Sequence, residues 1–343
     1  MSKIELHNTS FGYTKDQLIF KNLSLSFNKR HEDKGHIIAL LGESGVGKST
    51  LLKLMLGNLS PSAGSVDIVS KKNVVSYLPQ EPVLMEFLSP LDNAIYFKSV
   101  KAYKYLFDNK TFETFKKSLG LEEVLKSKTS VNNLSGGQRQ RIALLRALSI
   151  NPDTIMMDEP AKGLDARTRA QFLNQLREII LGTNTLGIYV THHLDEAQLV
   201  ADDIAYIYRD ELSKDSSIYI DSLNNFLEKP KLLEALEAVK YPNAKIMKCT
   251  FDRDNQIQLA KGEDFFFISL DENNIGYSDT LGFDFNILYK NDKYAQIELL
   301  DGQRINLMTK SISGCKLFLK GKVLRFNKNG KFEDIIEVVN YEL

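Results

Sequence analysis

Cysteine is nearly absent from this sequence: Cys249 and Cys315 are the only two among 343 residues. Two thiols so far apart supply neither a disulfide framework nor zinc-ligand spacing, which leaves buried, reduced side chains as the expectation. Net charge is absent too. Lys+Arg and Asp+Glu each number 44, so no bulk positive field recommends nucleic acid as a partner. Long apolar runs are missing. No stretch approaches the roughly 18 apolar residues of a membrane-spanning helix, and Met1-Ser2-Lys3-Ile4-Glu5 lacks the apolar core of a signal peptide. The expectation is a chain that does not cross a membrane and meets one only through a partner.

What is present is globular. Hydrophobic residues make up 43% and charged residues 26%, and the length suits two ordinary domains, each with its own core. Residues 4 to 27 alternate as two antiparallel strands, with Phe11-Gly12-Tyr13 between them. His36-Ile37-Ile38-Ala39-Leu40-Leu41 is a short continuous apolar run, as in a buried parallel strand. It leads into Gly42-Glu43-Ser44-Gly45-Val46-Gly47-Lys48-Ser49-Thr50, which fits the G-x-x-x-x-G-K-[ST] pattern. Gly42, Gly45 and Gly47 let the backbone curl so that its N–H groups face inward as an anion nest. A helix starting near Lys48 adds its positive end. Lys48 offers a point charge to β- and γ-phosphates, and the Ser49 hydroxyl a magnesium ligand.

Two more stretches carry chemistry. Leu134-Ser135-Gly136-Gly137-Gln138 opens a second helix, with Ser135 as a good N-cap and two glycines that allow close approach to a phosphate. Thr154-Ile155-Met156-Met157 is another buried strand, ended by Asp158 and Glu159. Asp158 is placed to hold magnesium, and Glu159 to polarise an attacking water.

Together these three stretches resemble the nucleotide-binding subunit of an ABC transporter, over about the first two thirds of the chain. The resemblance implies ATP and Mg2+ as ligands, and a P-loop NTPase core with an antiparallel β subdomain and a helical subdomain. It implies that an aromatic at Tyr13, with Phe11 as the alternative, stacks on adenine. Gln80, after the strand Val74–Leu78, would touch magnesium or the attacking water. Asp165 occupies the acidic place of a dimer-contacting loop, although Lys162-Gly163 stands where many members have Ser-Ala. His192 rather than His193 would contact the γ-phosphate. Since a P-loop and a signature loop would face different nucleotides, the resemblance implies a head-to-tail homodimer with ATP between the subunits.

Residues 91 to 127 read as helical, and Phe87, Tyr96, Phe97, Tyr103, Tyr105 and Phe107 exceed what a small subdomain needs. In the family this surface receives a short helix of a separate permease subunit. Residues 202 to 207 are the last strand expected in the core, followed by a helix from Leu223 to Val239 that Tyr241-Pro242-Asn243 breaks. From Lys245 the pattern turns to short alternating strands with turn pairs at Asn291-Asp292, Asp301-Gly302 and Asn329-Gly330. Residues 295–300 and 303–308 form a strong hairpin signal.

The predicted architecture is therefore an α/β ATPase domain at 1–240, its helical subdomain at about 82–150, and a small all-β, OB-like regulatory or dimerisation domain at 241–343. By resemblance the function is ATP hydrolysis that powers solute import through permease subunits, with a solute-binding protein, at the cytoplasmic face of the cell membrane. An export-type ATPase would more often lack such a tail. Ribosome-associated types carry two cassettes, and DNA-repair types a long coiled coil.

Overall fold

The computed structural model describes residues 2–14, 17–127, 130–209 and 215–232, Ala235, and beyond these the strands named below with Gln303 and Lys331. The chain divides into two compact units, Met1–Leu223 and Asn224–Leu343.

In the first unit β1 (Lys3–Phe11) and β2 (Phe20–Asn28) pair antiparallel, as the alternation predicts. β3 (His36–Gly42) is buried along its whole length and runs into α1 (Lys48–Met55). β4 (Ala63–Val69) joins the far edge of β1, an element the sequence did not announce. β5 (Val75–Leu78) precedes the helical region. That region is not one helix but four short ones: α2 (Pro90–Ala94), α3 (Tyr96–Ser99), α4 (Asn109–Ser118) and α5 (Glu122–Lys126). Ser89 and Asp108 start new helices by accepting from the N–H groups of Asp92 and Thr111. Then follow α6 (Gly136–Leu148), β6 (Thr154–Asp158), α7 (Ala166–Leu181), β7 (Leu186–Val190), α8 (Leu194–Val200), β8 (Asp203–Arg209) and β9 (Ser216–Ser222).

The central sheet has the order β5-β6-β7-β3-β8-β9. All pairs are parallel except β8 with β9. β8 is therefore not the last strand of the core, as expected; β9 closes the edge. Alternation along β3 splits the core in two. Ile37 faces α6 and α7 with Leu145, Phe172 and Leu176. Ile38 and Leu40 face α1 and the three-stranded sheet with Leu51, Phe20 and Phe27. Each such fully buried side chain stabilises the fold by about 1.5–3 kcal/mol. The sheet is thus clamped on both faces, and its strand ends are fixed to carry chemistry. Among the described residues no helix is long and apolar enough to cross a membrane.

The second unit opens with most of α9 (Leu223–Glu228), a helix shorter than the sequence suggests. Pro230 disfavours helical backbone at the residue before it. Two antiparallel sheets follow. One has the order β11-β10-β12-β18-β19, from β10 (Lys245–Phe251), β11 (Ile257–Leu259), β12 (Phe266–Leu270), β18 (Gly321–Phe326) and β19 (Phe332–Val338). The other has the order β13-β17-β14-β15-β16, from β13 (Ile275–Ser278), β14 (Phe283–Lys290), β15 (Tyr294–Leu299), β16 (Arg304–Met308) and β17 (Lys316–Leu319). The expected hairpin is present: β15 and β16 pair, with Ile297 opposite Ile305. The three turn pairs, Cys315 and Tyr241-Pro242-Asn243 lie outside the described residues.

Candidate functional site

β3, β6 and β7 are neighbours in the sheet, so their C-terminal ends lie side by side. In open α/β sheets ligands bind at such ends. From β3 the chain turns through Gly42–Gly47. Gly45 and Gly47 take positive φ, 80° and 113°, and a Cβ on Gly47 would sit 2.9 Å from Ile19 Cγ2. Gly47 caps α1 without any side-chain acceptor, so the first N–H groups of α1 are left for an outside anion. Lys48 is buried, and its Nζ donates to the carbonyls of Gly42 (2.7 Å) and Glu43 (2.6 Å). Burial lowers its pKa, while Glu159 and Asp158 pull it back up. Ser49 is exposed beside it. The turn is braced from behind by a residue the sequence did not single out. Ser216 Oγ donates to the Val46 carbonyl at 2.6 Å, and its N–H donates to Ile19.

Tyr13 is 64% exposed, with its hydroxyl 3.3 Å from Thr50 Oγ1 on α1. Phe11 meets its ring edge-on at 5.3 Å and is only 8% exposed. Phe11 belongs to the core, which removes it as the alternative stacking residue and leaves Tyr13 as the available flat face.

Asp158 ends β6 half-buried. Burial raises its pKa and neighbouring Glu159 raises it further, against Lys53, Lys48 and Lys162. A carboxylate held this way gains from a bound cation. Glu159 takes φ 41°, a strained value for a residue with a side chain. Its N–H donates to Val190, and its carbonyl accepts from Lys162 N–H. The side chain lies between two nitrogen partners: Oε1 is 2.7 Å from His192 Nδ1, and Oε2 is 3.4 Å from Lys162 Nζ. Burial pushes its pKa up, but these partners outweigh that and the net direction is down. Of the two histidines, His192 therefore meets the carboxylate; His193 caps α8 and packs on the His192 ring at 3.9 Å.

Gln80 is half-buried and follows Pro79, which with Tyr77, Val83, Met85, Tyr96, Phe97 and Arg146 lines a groove of about 370 Å³. Phe87 (85% exposed), Tyr105 and Tyr103 stand out into solvent nearby in sequence, whereas Phe107 packs against the core.

Ser135–Gln138 is not hydrogen-bonded to Gly42–Thr50 among the described residues. Ser135 and Gln138 form a reciprocal capping box at the start of α6. The loop rests on α7: a Cβ on Gly137 would meet Thr168 Cγ2 at 2.7 Å, and one on Gly136 would meet Leu164 at 3.9 Å. Asp165 is the N-cap of α7 and accepts from the N–H groups of Arg167 and Thr168. Hydrogen bonding from Thr168, through its side chain first and then its N–H, with a smaller part from Arg167 N–H, lowers its pKa, and its visible task is to fix the first turn of α7. The structure thus assembles Lys48, Asp158, Glu159 and His192 in one place and holds Ser135–Gln138 on another element.

A buried Mg-triphosphate suits this donor set: bare helix N–H groups, one buried cation, a hydroxyl, and a carboxylate whose ionisation is held back.

Comparison with known proteins agrees with the geometry. The ABC transporter family model matches residues 20–162. The chain is 34% identical over 206 residues to the ergothioneine transport ATP-binding protein EgtV of Helicobacter pylori, covering 58% of this chain and 93% of that protein. It is 30% identical over 207 residues to the molybdate/tungstate import ATP-binding protein WtpC of Pyrococcus abyssi, 58% of this chain but 59% of that one. The chain thus spans only about three fifths of the latter relative's length. Among solved structures, cbiO1 of Clostridium perfringens, part of the ABC transporter complex cbiONQ, superposes with a TM-score of 0.55 at 23% identity. That match covers 66% of this chain and 91% of cbiO1, and carries the fold alone.

Proposed function

The chain belongs to the ATP-binding proteins of ABC transporters, and from that premise we propose that it hydrolyses Mg-ATP to power solute import through separate membrane subunits. The observation that carries this is the meeting of Glu159 and His192 beside Lys48 and Asp158 at adjacent strand ends. In this reading Tyr13 stacks on the base, and residues 42–50 cradle the phosphates with Lys48. Ser49 and Asp158, with Gln80, hold magnesium, which neutralises charge on the phosphate oxygens when bound. Glu159 orients and deprotonates the attacking water, and His192 fixes Glu159 while reaching toward the terminal phosphate.

Ser135–Gln138 presents a second anion-binding turn that its own P-loop does not use. A head-to-tail homodimer gives it a nucleotide, with Asp165 and its loop at the seam. The groove beside Gln80, with Phe87 near it in sequence, suits a short helix of a permease. The import direction is supported by the names of relatives such as the molybdate/tungstate protein above. In the same reading the second unit is an OB-like regulatory or dimerisation domain, with its all-antiparallel sheets as the support. The working place is then the cytoplasmic face of the cell membrane, reached through the permease and served by a solute-binding protein.

The test uses Glu159→Gln, which should retain ATP. Expressed in the native host and purified from detergent-solubilised membranes with ATP, it should bring down a polytopic membrane subunit. Ribosomal or DNA-associated partners without a membrane protein would overturn the transport assignment and leave the ATPase chemistry intact.

A further inference from the structure

Glu196 is a carboxylate only 3% exposed, and nothing in the hydrolytic reading above uses it. Burying a carboxylate is costly unless it is paired and hydrogen-bonded. Here every side of it is engaged. Oε2 accepts from the Tyr189 hydroxyl and from Thr191 Oγ1, both at 2.9 Å. Oε1 faces Arg169 Nη1 at 3.6 Å. Thr191 is itself fully buried, and its Oγ1 accepts from the N–H of His193 at 3.0 Å. The carboxylate therefore grips the backbone turn on both sides of His192: Thr191 before it, and His193, through Thr191, after it.

Its third partner belongs to a different functional element. Arg169 sits in the first turn of α7, one residue after Thr168. Thr168 is the side chain on which Gly137 rests, so closely that one added carbon would overlap it. The first turn of α7 thus touches the Ser135–Gln138 loop through Thr168 and Glu196 through Arg169. The Tyr189 hydroxyl anchors the same carboxylate to β7, the strand whose last residue, Val190, lies two positions before His192.

We propose that Glu196 is a positioning residue that holds the His192 turn in register with α7, and so with the Ser135–Gln138 loop resting on that helix. The proposal rests on the ATPase and head-to-tail reading, in which His192 serves this chain's own nucleotide and the loop serves the partner's. Movement of α7 on closure of the dimer is then passed to His192 through one ion pair, and misplacement of α7 withdraws His192 from Glu159. Lys48 and the P-loop lie outside this linkage, so nucleotide binding to the open chain is independent of it.

The substitutions separate the contacts. Glu196→Gln keeps an oxygen for the two hydroxyls but turns an amide toward Arg169, which breaks only the link to α7. Arg169→Met breaks the same link from a partly exposed position and tests it without disturbing the buried group. Arg169→Lys restores the charge.

Steady-state ATP hydrolysis by the full chain should show kcat reduced about tenfold in Glu196→Gln and in Arg169→Met, with KM within about twofold of wild type. The double variant should be no worse than the poorer single one, because both remove the same interaction. Arg169→Lys should recover most of the rate. Singles that keep wild-type kcat, losses that multiply in the double, or loss of kcat and KM together with failure of Arg169→Lys would overturn the proposal. Absence of turnover in the wild-type chain would instead remove the ATPase reading beneath it.

Discussion

Nδ1 of His192 and Oε1 of Glu159 lie 2.7 Å apart, at the ends of strands paired so that Asp158 is opposite Val190. A carboxylate can only accept, so the imidazole Nδ1 carries the proton, and Nε2 is the nitrogen left to face a ligand. Sheet register thus sets both the distance between base and histidine and the tautomer.

His192→Ala leaves Glu159 with Lys162 as its side-chain partner among the described residues and removes the group proposed to face the terminal phosphate. ATP turnover should fall roughly a hundredfold or more, while affinity for a fluorescent ATP analogue, set by residues 42–50, stays within about threefold. Loss of binding in proportion to turnover would show that His192 is structural.

Lys162 is a departure from the family pattern, and it lies 3.4 Å from Glu159. Burial raises the Glu159 pKa, yet His192 and Lys162 bring it below its ordinary value. A depressed carboxylate stays ionised to lower pH, and what it contributes is lost only as pH falls through that lowered value. Lys162→Ala removes one of the depressing partners. In pH–rate profiles its acid limb should lie at higher pH than wild type, with rates at pH 7 within about threefold because both enzymes are ionised there. Coincident acid limbs would mean that Lys162 does not bear on the base.

Ser216→Ala leaves the buried carbonyl of Val46 without its donor. Urea unfolding should register a loss of about 1–3 kcal/mol, and ATP affinity should drop because the brace behind the P-loop is gone. A variant as stable as wild type would show that the carbonyl finds another donor.

Gly137→Ala puts a methyl 2.7 Å from Thr168 Cγ2. Turnover should fall about tenfold, the factor that corresponds to ~1.4 kcal/mol of misfit, with nucleotide binding by the P-loop untouched. Thr168→Ser, which removes the opposing methyl, should rescue it in the double variant. Failure of rescue would mean that the loop tolerates no Cβ for a different reason.

The loops of the site were legible in the sequence because their chemistry fixes residue types at fixed spacing. Gly47 must allow φ of 113°, and Ser135 and Gln138 stand three apart because a capping box requires it. The buried strands β3 and β6 were legible from continuous apolar runs. The edge strands β4 and β9 were not. Most of their residues are half-buried or exposed, so no sharp alternation marks them. Ser216, on one of these, was missed with its strand. Glu196 was hidden for a different reason: its partner Arg169 comes from another helix, and only the tertiary fold brings them together. Phe11 and Tyr13 are alike in composition, and only burial separates them.

The central claim is that ATP joins two copies of this chain, each supplying Lys48 to one nucleotide and Ser135–Gln138 to the other. Light scattering of Glu159→Gln with and without Mg-ATP tests it most directly. The account predicts a monomer without nucleotide and a dimer with it, the dimer being weakened about tenfold when Gly137→Ala is added. A mass that does not change with Mg-ATP, in a variant shown by titration to bind it, would contradict the account.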